Sequence, residues 1–347
     1  MSHPRLQMIP QTVMPTDLAG LSLPERNVDR FGRTIDYLRI SLTDRCDLRC
    51  LYCMPEEGVQ LAPRAELLTF EETCRVAASA RRLGFRKFRL TGGEPLVVKD
   101  ALVFIRRLRE ATEGAILAMT TNGIRLADNA AELRAIGVER LNISLDTLDR
   151  ERFRQLTRRD ELHRVLAGID RALEVGFHRI KVNAVIVPGV NEQDLLPLVG
   201  LAKDRPIDVR FIEEMPLNGE PDRGFIGADE MLRRISTAYP LEPIEPEDSR
   251  QAAQLMYRSP ELKGLIGIVA PRSQKFCSTC NRLRLTPNGE LKGCLLSDGT
   301  LDIRAALRAG ITDVDLDGLL RYAIGIKPLE YRAERYGIDR SMSAIGG

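Results

Sequence analysis

Six of the seven cysteines in this 347-residue chain fall in two groups of three, Cys46-x3-Cys50-x2-Cys53 near the start and Cys277-x2-Cys280-x13-Cys294 near the end. A closed structural zinc site takes four ligands, so each triad leaves a bound metal one ligand short, and an open coordination position is where chemistry takes place. Thiolates are also the ligands of iron–sulfur clusters, and a triad as compact as the first can come from one loop wrapped round a cluster. An odd number of cysteines, so tightly grouped, argues against a disulfide framework and for metal ligation in a reducing compartment. The seventh, Cys74, shares a helical pattern with Phe70, Ala77 and Ala78 and reads as a small buried residue. His3, His163 and His178 are scattered, without ligand spacing to either triad.

These residues need a frame, and from Asp36 onward short apolar runs alternate with longer helical patterns. The strand candidates are Tyr37 to Leu42, Lys87 to Leu90, Ile116 to Met119, Arg140 to Ile143, Ile180 to Val185 and Asp208 to Ile212. Helical spacing lies between them in Phe70 to Leu83, Asp100 to Ala111, Asn129 to Ile136, Leu162 to Val175 and Asp194 to Lys203. A repeated strand–helix unit gives a parallel sheet. After the strands come Thr43-Asp44, Thr91-Gly-Gly-Glu94, Thr120-Thr-Asn-Gly123, Ser144-Leu-Asp146 and Glu213-Glu-Met215. Polar or glycine-rich residues at strand after strand are what a barrel mouth needs, because ligands of α/β barrels sit at the carboxyl ends of the strands. Six units predict an α/β fold, a partial (β/α)6 TIM-like barrel over residues 31–218. Around Pro216 to Pro246 the pattern dissolves into proline, glycine and acidic residues, so a C-terminal domain carrying the second triad is expected over 219–347. Residues 1–30, with Pro4, Pro10, Pro15 and Pro24, read as a loosely ordered arm.

The 51 basic and 49 acidic side chains leave a formal charge of +2, far from the lopsided balance that nucleic-acid binding favours, so any anionic partner must meet a local cluster of cations. No apolar run approaches a membrane span and no secretory signal opens the chain, which predicts a soluble, cytoplasmic protein. The mixed-charge run Arg150 to Arg164 reads as a solvated helix face, and Glu213-Glu214 as shaping a strand end.

Around the first triad the chain reads Arg45-Cys-Asp-Leu-Arg-Cys-Leu-Tyr-Cys-Met-Pro55. This CxxxCxx-aromatic-Cys form resembles the radical S-adenosylmethionine (SAM) enzymes. The resemblance implies a 4Fe-4S cluster held by Cys46, Cys50 and Cys53, with its fourth iron binding SAM, from which one electron releases methionine and a 5′-deoxyadenosyl radical. It also implies that Gly93, within Thr91-Gly-Gly-Glu-Pro95, holds SAM's amino group, that Tyr52 packs on adenine, that Ser144 reaches SAM and that Met215 closes the adenine pocket.

The second triad, followed by Asn281-Arg282-Leu-Arg284, resembles one group more closely, the molybdenum cofactor biosynthesis protein A family of GTP 3′,8-cyclases. Phe31-Gly-Arg33, Tyr37-Leu-Arg39-Ile-Ser-Leu-Thr-Asp-Arg45, Thr120-Thr-Asn-Gly123, Asn142-Ile-Ser-Leu-Asp146, Ile180-Lys-Val-Asn183 and the terminal Gly346-Gly347 also match. Asp47 departs from the asparagine more usual there. This resemblance implies a second 4Fe-4S cluster on Cys277, Cys280 and Cys294, with an open iron for guanine. The radical would take hydrogen from C3′ of GTP, and C3′ would then join C8 to give (8S)-3′,8-cyclo-7,8-dihydroguanosine 5′-triphosphate, an early intermediate of molybdopterin synthesis. Arg39, Arg89, Lys181, Arg282 and Arg284 are the implied GTP contacts, with Thr120 giving a hydroxyl; arginine's planar fork suits phosphate oxygens. Arg282, Arg284, Gly346 and Gly347 are implied to shape the radical step, the diglycine end reaching the active site. The implied partners are a reduced electron donor such as flavodoxin or ferredoxin and the cyclic pyranopterin monophosphate synthase, around a monomer or homodimer. The alternatives are a peptide-modifying radical SAM enzyme with an auxiliary cluster, which would not require Arg282-Leu-Arg284 or the diglycine, and a zinc-bearing scaffold, against which the three-cysteine sites speak.

Overall fold

The computed structural model describes residues 23, 24, 26–215, 224–245, 255–296 and 300–331. All six expected strands form, as β1 (Tyr37–Ser41), β2 (Lys87–Thr91), β3 (Ile116–Thr121), β4 (Arg140–Ser144), β5 (Ile180–Ile186) and β6 (Ile207–Glu213). Each pairs in parallel with the next, because helices carry the chain back between them. These are α1 (Phe70–Arg82), α2 (Ala101–Ala111), α3 (Leu126–Ile136), α4 (Arg150–Thr157), α5 (Leu162–Glu174), α6 (Leu195–Val199) and α7 (Leu201–Asp204). Local chemistry sets their ends: α1 opens on a capping box in which Thr69 and Glu72 satisfy each other's amides, and α3 stops at Gly137, whose φ of 98° is left-handed.

The strands alternate with period two, and the two faces differ. Leu38 and Ile40, Phe88 and Leu90, Leu117 and Met119, Leu141 and Ile143, Val209 and Phe211 are all fully buried in the main core with residues of the helices. The residues between them, among them Arg39, Arg89, Asn142, Lys181 and Arg210, line an interior cavity instead. An ordinary α/β barrel fills its interior with branched apolar layers; this one keeps its apolar core outside the strands and a polar channel within.

The rest of the described chain gives α8 (Ala228–Ser236), β7 (Glu242–Ile244), β8 (Leu255–Arg258), β9 (Ile266–Val269), β10 (Arg282–Leu285), β11 (Glu290–Lys292), β12 (Thr300–Asp302), α9 (Arg304–Arg308) and α10 (Asp313–Gly325). The sheet order is β12-β11-β10-β1-β2-β3-β4-β5-β6-β9-β8-β7, so the late strands extend both edges of the six-stranded sheet. β9 runs parallel to β6 and β10 parallel to β1. The loop from the carboxyl end of β9 to the amino end of β10 therefore runs between the two flanks, and it carries Cys277 and Cys280. α8 falls where the sequence pattern dissolves; Ala228, Met231 and Ile235 recur at helical spacing and are buried. Within the expected arm, Asp29 is buried and its carboxylate pairs with Arg33 at 2.6 Å.

Candidate active site

A cavity of about 530 Å³ runs through the barrel interior and is lined by all six cysteines of the two triads. Cys46, Cys50 and Cys53 lie on the loop after β1, at the carboxyl ends of the strands. Cys280 lies just before β10, whose first residue, Arg282, is in register with Tyr37 at the amino end of β1. The triads thus face the two ends of one channel.

The first loop is fixed from two sides. On one, Gly93 and Glu94 donate their amides to the carbonyls of Thr43 (2.7 Å) and Arg45 (2.8 Å). A Cβ on Gly93 would lie 2.1 Å from the Arg45 oxygen, and one on Gly92, at φ 144°, would lie 2.5 Å from the Thr43 oxygen. The Gly-Gly pair is therefore required by the approach of two backbones. Glu94, fully buried, accepts from the amides of Leu96 (3.0 Å) and Asn122 (2.6 Å) and from Thr121 Oγ1. Asn122 passes this order on: its Nδ2 donates to Asp47 Oδ1 (2.6 Å) and to Cys46 Sγ (3.8 Å).

On the other side stands α4, where the sequence suggests only a solvated face. Its charged face is exposed, as in the Arg150–Asp160 pair, but Phe153, Leu156 and Thr157 are buried. Its last carbonyls, orphans of any helix end, accept from the cysteine loop: Arg49 N to Thr157 O (3.0 Å) and Leu51 N to Leu156 O (2.9 Å). Arg158, left-handed at φ 56°, donates to the carbonyls of Arg49 and Met54. Tyr52 Oη donates to Asp146 Oδ2 (2.7 Å), while Asp146 Oδ1 takes the Val185 amide (2.8 Å).

The middle of the channel is a belt of cations. Arg39 is in register with Arg89 on one side and Arg284 on the other, so three arginines stand abreast on neighbouring strands. Arg89 is held by Tyr37 Oη (2.7 Å) and Met119 O (2.8 Å), with Thr120 Oγ1 at 3.4 Å. Arg210 donates twice to Asn183 Oδ1, and Gly267 opposite leaves it room, since a Cβ there would lie 2.8 Å from Arg210 Cγ. Lys181 pairs with Asp208 at 3.3 Å. Burial, and then neighbouring cations, push Arg39, Arg210, Arg284 and Lys181 below their ordinary values and bring Lys87 to about 8. Burial would raise the Tyr37 phenol, yet Arg89, Lys87 and Arg39 around it hold it well below its ordinary value. Such a belt is made to receive a polyanion.

The second triad is assembled from separate segments. β10 and β11 pair antiparallel with Arg284 opposite Lys292, which brings Cys280 and Cys294 to the same end of the hairpin. Arg33, buried, donates to Cys277 O (2.7 Å), Pro328 O (2.7 Å) and Leu329 O (3.0 Å). Met215, beyond the end of β6, packs with Cys277, Cys294 and Leu295 against Leu296 and Tyr331.

Sulfur donors of this kind suit iron–sulfur clusters or zinc. Each triad brings three thiols to the cavity wall, and three thiolates are a donor set that holds a cluster with one iron left open. The donor set fits a cluster.

A model of the radical SAM superfamily matches residues 40–202, and one described as molybdenum cofactor synthesis C matches residues 207–333. The chain is 42% identical to the GTP 3′,8-cyclase of Moorella thermoacetica, over 92% of this chain and 99% of that protein. It is 44% identical to the GTP 3′,8-cyclase of Ectopseudomonas mendocina, over 92% of this chain and 98% of that one. The chain belongs to the GTP 3′,8-cyclase family of radical SAM enzymes. Use of SAM and a 4Fe-4S cluster is characteristic of that superfamily. The fold also matches a crystal structure of Streptococcus suis SuiB bound to S-adenosylmethionine, at TM-score 0.58 and 17% identity, covering 82% of this chain and 67% of that one.

Of the residues that family resemblance singles out, the structure brings Arg39, Cys46, Cys50, Tyr52, Cys53, Arg89, Gly93, Thr120, Ser144, Lys181, Met215, Cys277, Cys280, Arg282, Arg284 and Cys294 to the walls of one cavity. Gly346 and Gly347 lie outside the described residues. Met215 follows the carboxyl end of β6 and packs in one cluster with Cys277 and Cys294. Cys74 packs against the main core and is not among the residues lining the cavity. Tyr37, Lys87, Asn183 and Arg210 also line the channel, and the sequence signal for them is a polar residue at every second position of an otherwise apolar strand. Glu213 does shape the end of β6, accepting from the amides of Ala228 (3.0 Å), Arg272 (2.8 Å) and Ser273 (3.0 Å). No helix among the described residues is long and apolar enough to cross a membrane.

Proposed function

We propose that this chain converts GTP to (8S)-3′,8-cyclo-7,8-dihydroguanosine 5′-triphosphate in molybdenum cofactor biosynthesis. The observation that carries this reading is the belt of buried arginines between two cysteine triads in one channel. Cys46, Cys50 and Cys53 would hold the first 4Fe-4S cluster, and Cys277, Cys280 and Cys294 a second. When bound with SAM, the first cluster supplies a one-electron reductive cleavage and so an organic radical able to take hydrogen from a ribose carbon. Gly93, Tyr52 and Ser144 would contact SAM near that triad, and Met215, beyond the carboxyl end of β6, lines the same channel. Arg39, Arg89 and Arg284, with Lys181 and Arg210, would bind the triphosphate as charge-assisted donors. Tyr37 and Met119 O fix the plane of the Arg89 guanidinium, so the phosphate meets a preset fork. Arg282, its guanidinium 5.1 Å from the Phe276 ring, stands beside the second triad, where guanine would sit. The buried channel excludes bulk water from the reacting carbon. Gly346 and Gly347 would complete the site from the chain's end. A reduced flavodoxin or ferredoxin would supply the electrons, and a pyranopterin-forming synthase would take the product, both within the cytoplasm.

The test is anaerobic turnover of protein reconstituted with iron and sulfide, given SAM, a reductant and GTP or ATP. The expected result is 5′-deoxyadenosine formed with the cyclic product from GTP alone. Deoxyadenosine formed without any cyclised nucleotide, by protein holding its full iron, would overturn the assignment.

A further inference from the structure

Lys327 follows α10 and is 2% exposed, an unusual place for an ammonium, whose burial is costly unless it is paired. Among the described residues it forms no ion pair with a carboxylate. Its Nζ donates instead to Arg282 O (3.0 Å), to Gly293 O and to Cys280 Sγ (3.4 Å). These acceptors belong to the two arms of the second site: Arg282 lies two residues after Cys280, and Gly293 immediately precedes Cys294. The surroundings preset this position. A Cβ on Gly293 would lie 3.1 Å from Lys327 Cα, tighter than most such contacts, so glycine here eases the close approach of α10's end. Arg33 holds the carbonyls of the next two residues, Pro328 and Leu329, together with that of Cys277.

We propose that Lys327 is a positioning residue of the second cysteine site: its ammonium ties the Cys280 arm to the Cys294 arm and sets a fixed positive charge against the Cys280 sulfur. A group bound there is then retained more firmly and is easier to reduce, because a charge and a hydrogen bond at a ligating sulfur favour the electron-richer state. The proposal rests on the reading of Cys277, Cys280 and Cys294 as cluster ligands.

The experiment uses the full chain with Cys46, Cys50 and Cys53 replaced by serine, so that iron and redox signals come from the second triad alone. If this parent, reconstituted without oxygen, binds none of the roughly four irons per chain expected of one cluster, the cluster reading itself fails, and the proposal with it. If it binds them, Lys327→Met and Lys327→Arg are compared in that background by iron content and by potentiometric titration followed by electron paramagnetic resonance. Lys327→Met should lose most of the iron, or keep it with a reduction equilibrium at least tenfold less favourable, about 59 mV for a one-electron couple. Lys327→Arg, which keeps the charge, should retain iron and a potential close to the parent's. Unchanged iron and potential in Lys327→Met would overturn the proposal, and so would an arginine variant as defective as the methionine one, since packing rather than charge would then be the cause. The same substitutions in the chain with all cysteines intact should leave the first triad's iron and SAM binding in place; their loss in Lys327→Met would mean general misfolding and would also count against a role specific to the second site.

Discussion

Replacing Gly93 with alanine tests whether the Gly-Gly pair serves the contact between the β2 end and the first cysteine loop. The new Cβ would sit 2.1 Å from the Arg45 carbonyl oxygen and 2.5 Å from its carbon, where ordinary contact begins at 3.4 Å. Both partners are backbone, so no side chain can swing aside, and the segments must part by roughly an ångström. The bonds Gly93 N to Thr43 O and Glu94 N to Arg45 O cannot both survive that movement. Each contributes about 1 kcal/mol net, and overpacking adds about 1 to 3 kcal/mol, so the local cost is about 3 to 5 kcal/mol. Because Cys46 directly follows Arg45, the strain falls on the first cluster loop rather than on the helices. The expected outcome, measured by iron analysis and SAM binding after anaerobic reconstitution, is loss of most first-triad iron and at least a hundredfold weaker SAM binding, with far-ultraviolet circular dichroism nearly unchanged. Wild-type iron content and SAM affinity in Gly93→Ala would refute the reasoning, since the loop would then have room that the geometry denies it.

Two further outcomes follow from the channel and its closure. Burial brings Lys87 to about 8, and a bound triphosphate favours its charged form, so the complex holds a proton that the free protein releases above pH 8. GTP affinity should therefore fall about tenfold between pH 7 and pH 9 by equilibrium binding, and Lys87→Met should flatten the slope; an unchanged slope in that variant would remove Lys87 from the phosphate site. Removing the fully buried Glu213 carboxylate strands three amide donors and the Ser273 hydroxyl, each worth about 1 kcal/mol or more when left unsatisfied. Glu213→Ala should lower the thermal midpoint by several degrees, and a midpoint within a degree of wild type would show that the junction between β6 and the loop after β9 closes by other means.

The sequence makes the first half of the fold legible because each of its six strands is a short apolar run followed by a turn and a helical pattern, and the signals are local. The second half is harder. β7, β11 and β12 are three residues each, too short to show a period, and β9 and β10 owe their existence to partners far away in the chain, β6 and β1. The cysteine triads stand out by spacing alone, while the role of α4 does not, since its high charge hides the fact that its carbonyls, not its side chains, brace the cysteine loop. Lys327 is similarly silent, because a lone cation carries no pattern, and although Arg33 falls in a matching motif its role does not show there: only the fold reveals that Arg33 collects three carbonyls from two segments and that Lys327 spans the two arms of the second triad.

The inverted arrangement of the barrel explains why so many of the site's residues are strand residues rather than loop residues. In a barrel with a packed interior, strand side chains stabilise the fold and the loops carry function. Here the apolar half of each strand faces the helices, and its other half is released for chemistry at no cost to that core. Strands are also stiffer supports than loops, so Arg39, Arg89 and Arg284 hold their spacing by register alone. The penalty is electrostatic, because like charges abreast in a buried channel repel one another until an anion arrives. The fold tolerates it through ties such as Tyr37 to Arg89 and Asn183 to Arg210, each of which satisfies part of a cation's bonding, and through Asp208, which offsets the charge of Lys181. The same residues whose charges repel one another in the channel thus suit it to a polyanion, held at spacings that the strand register sets.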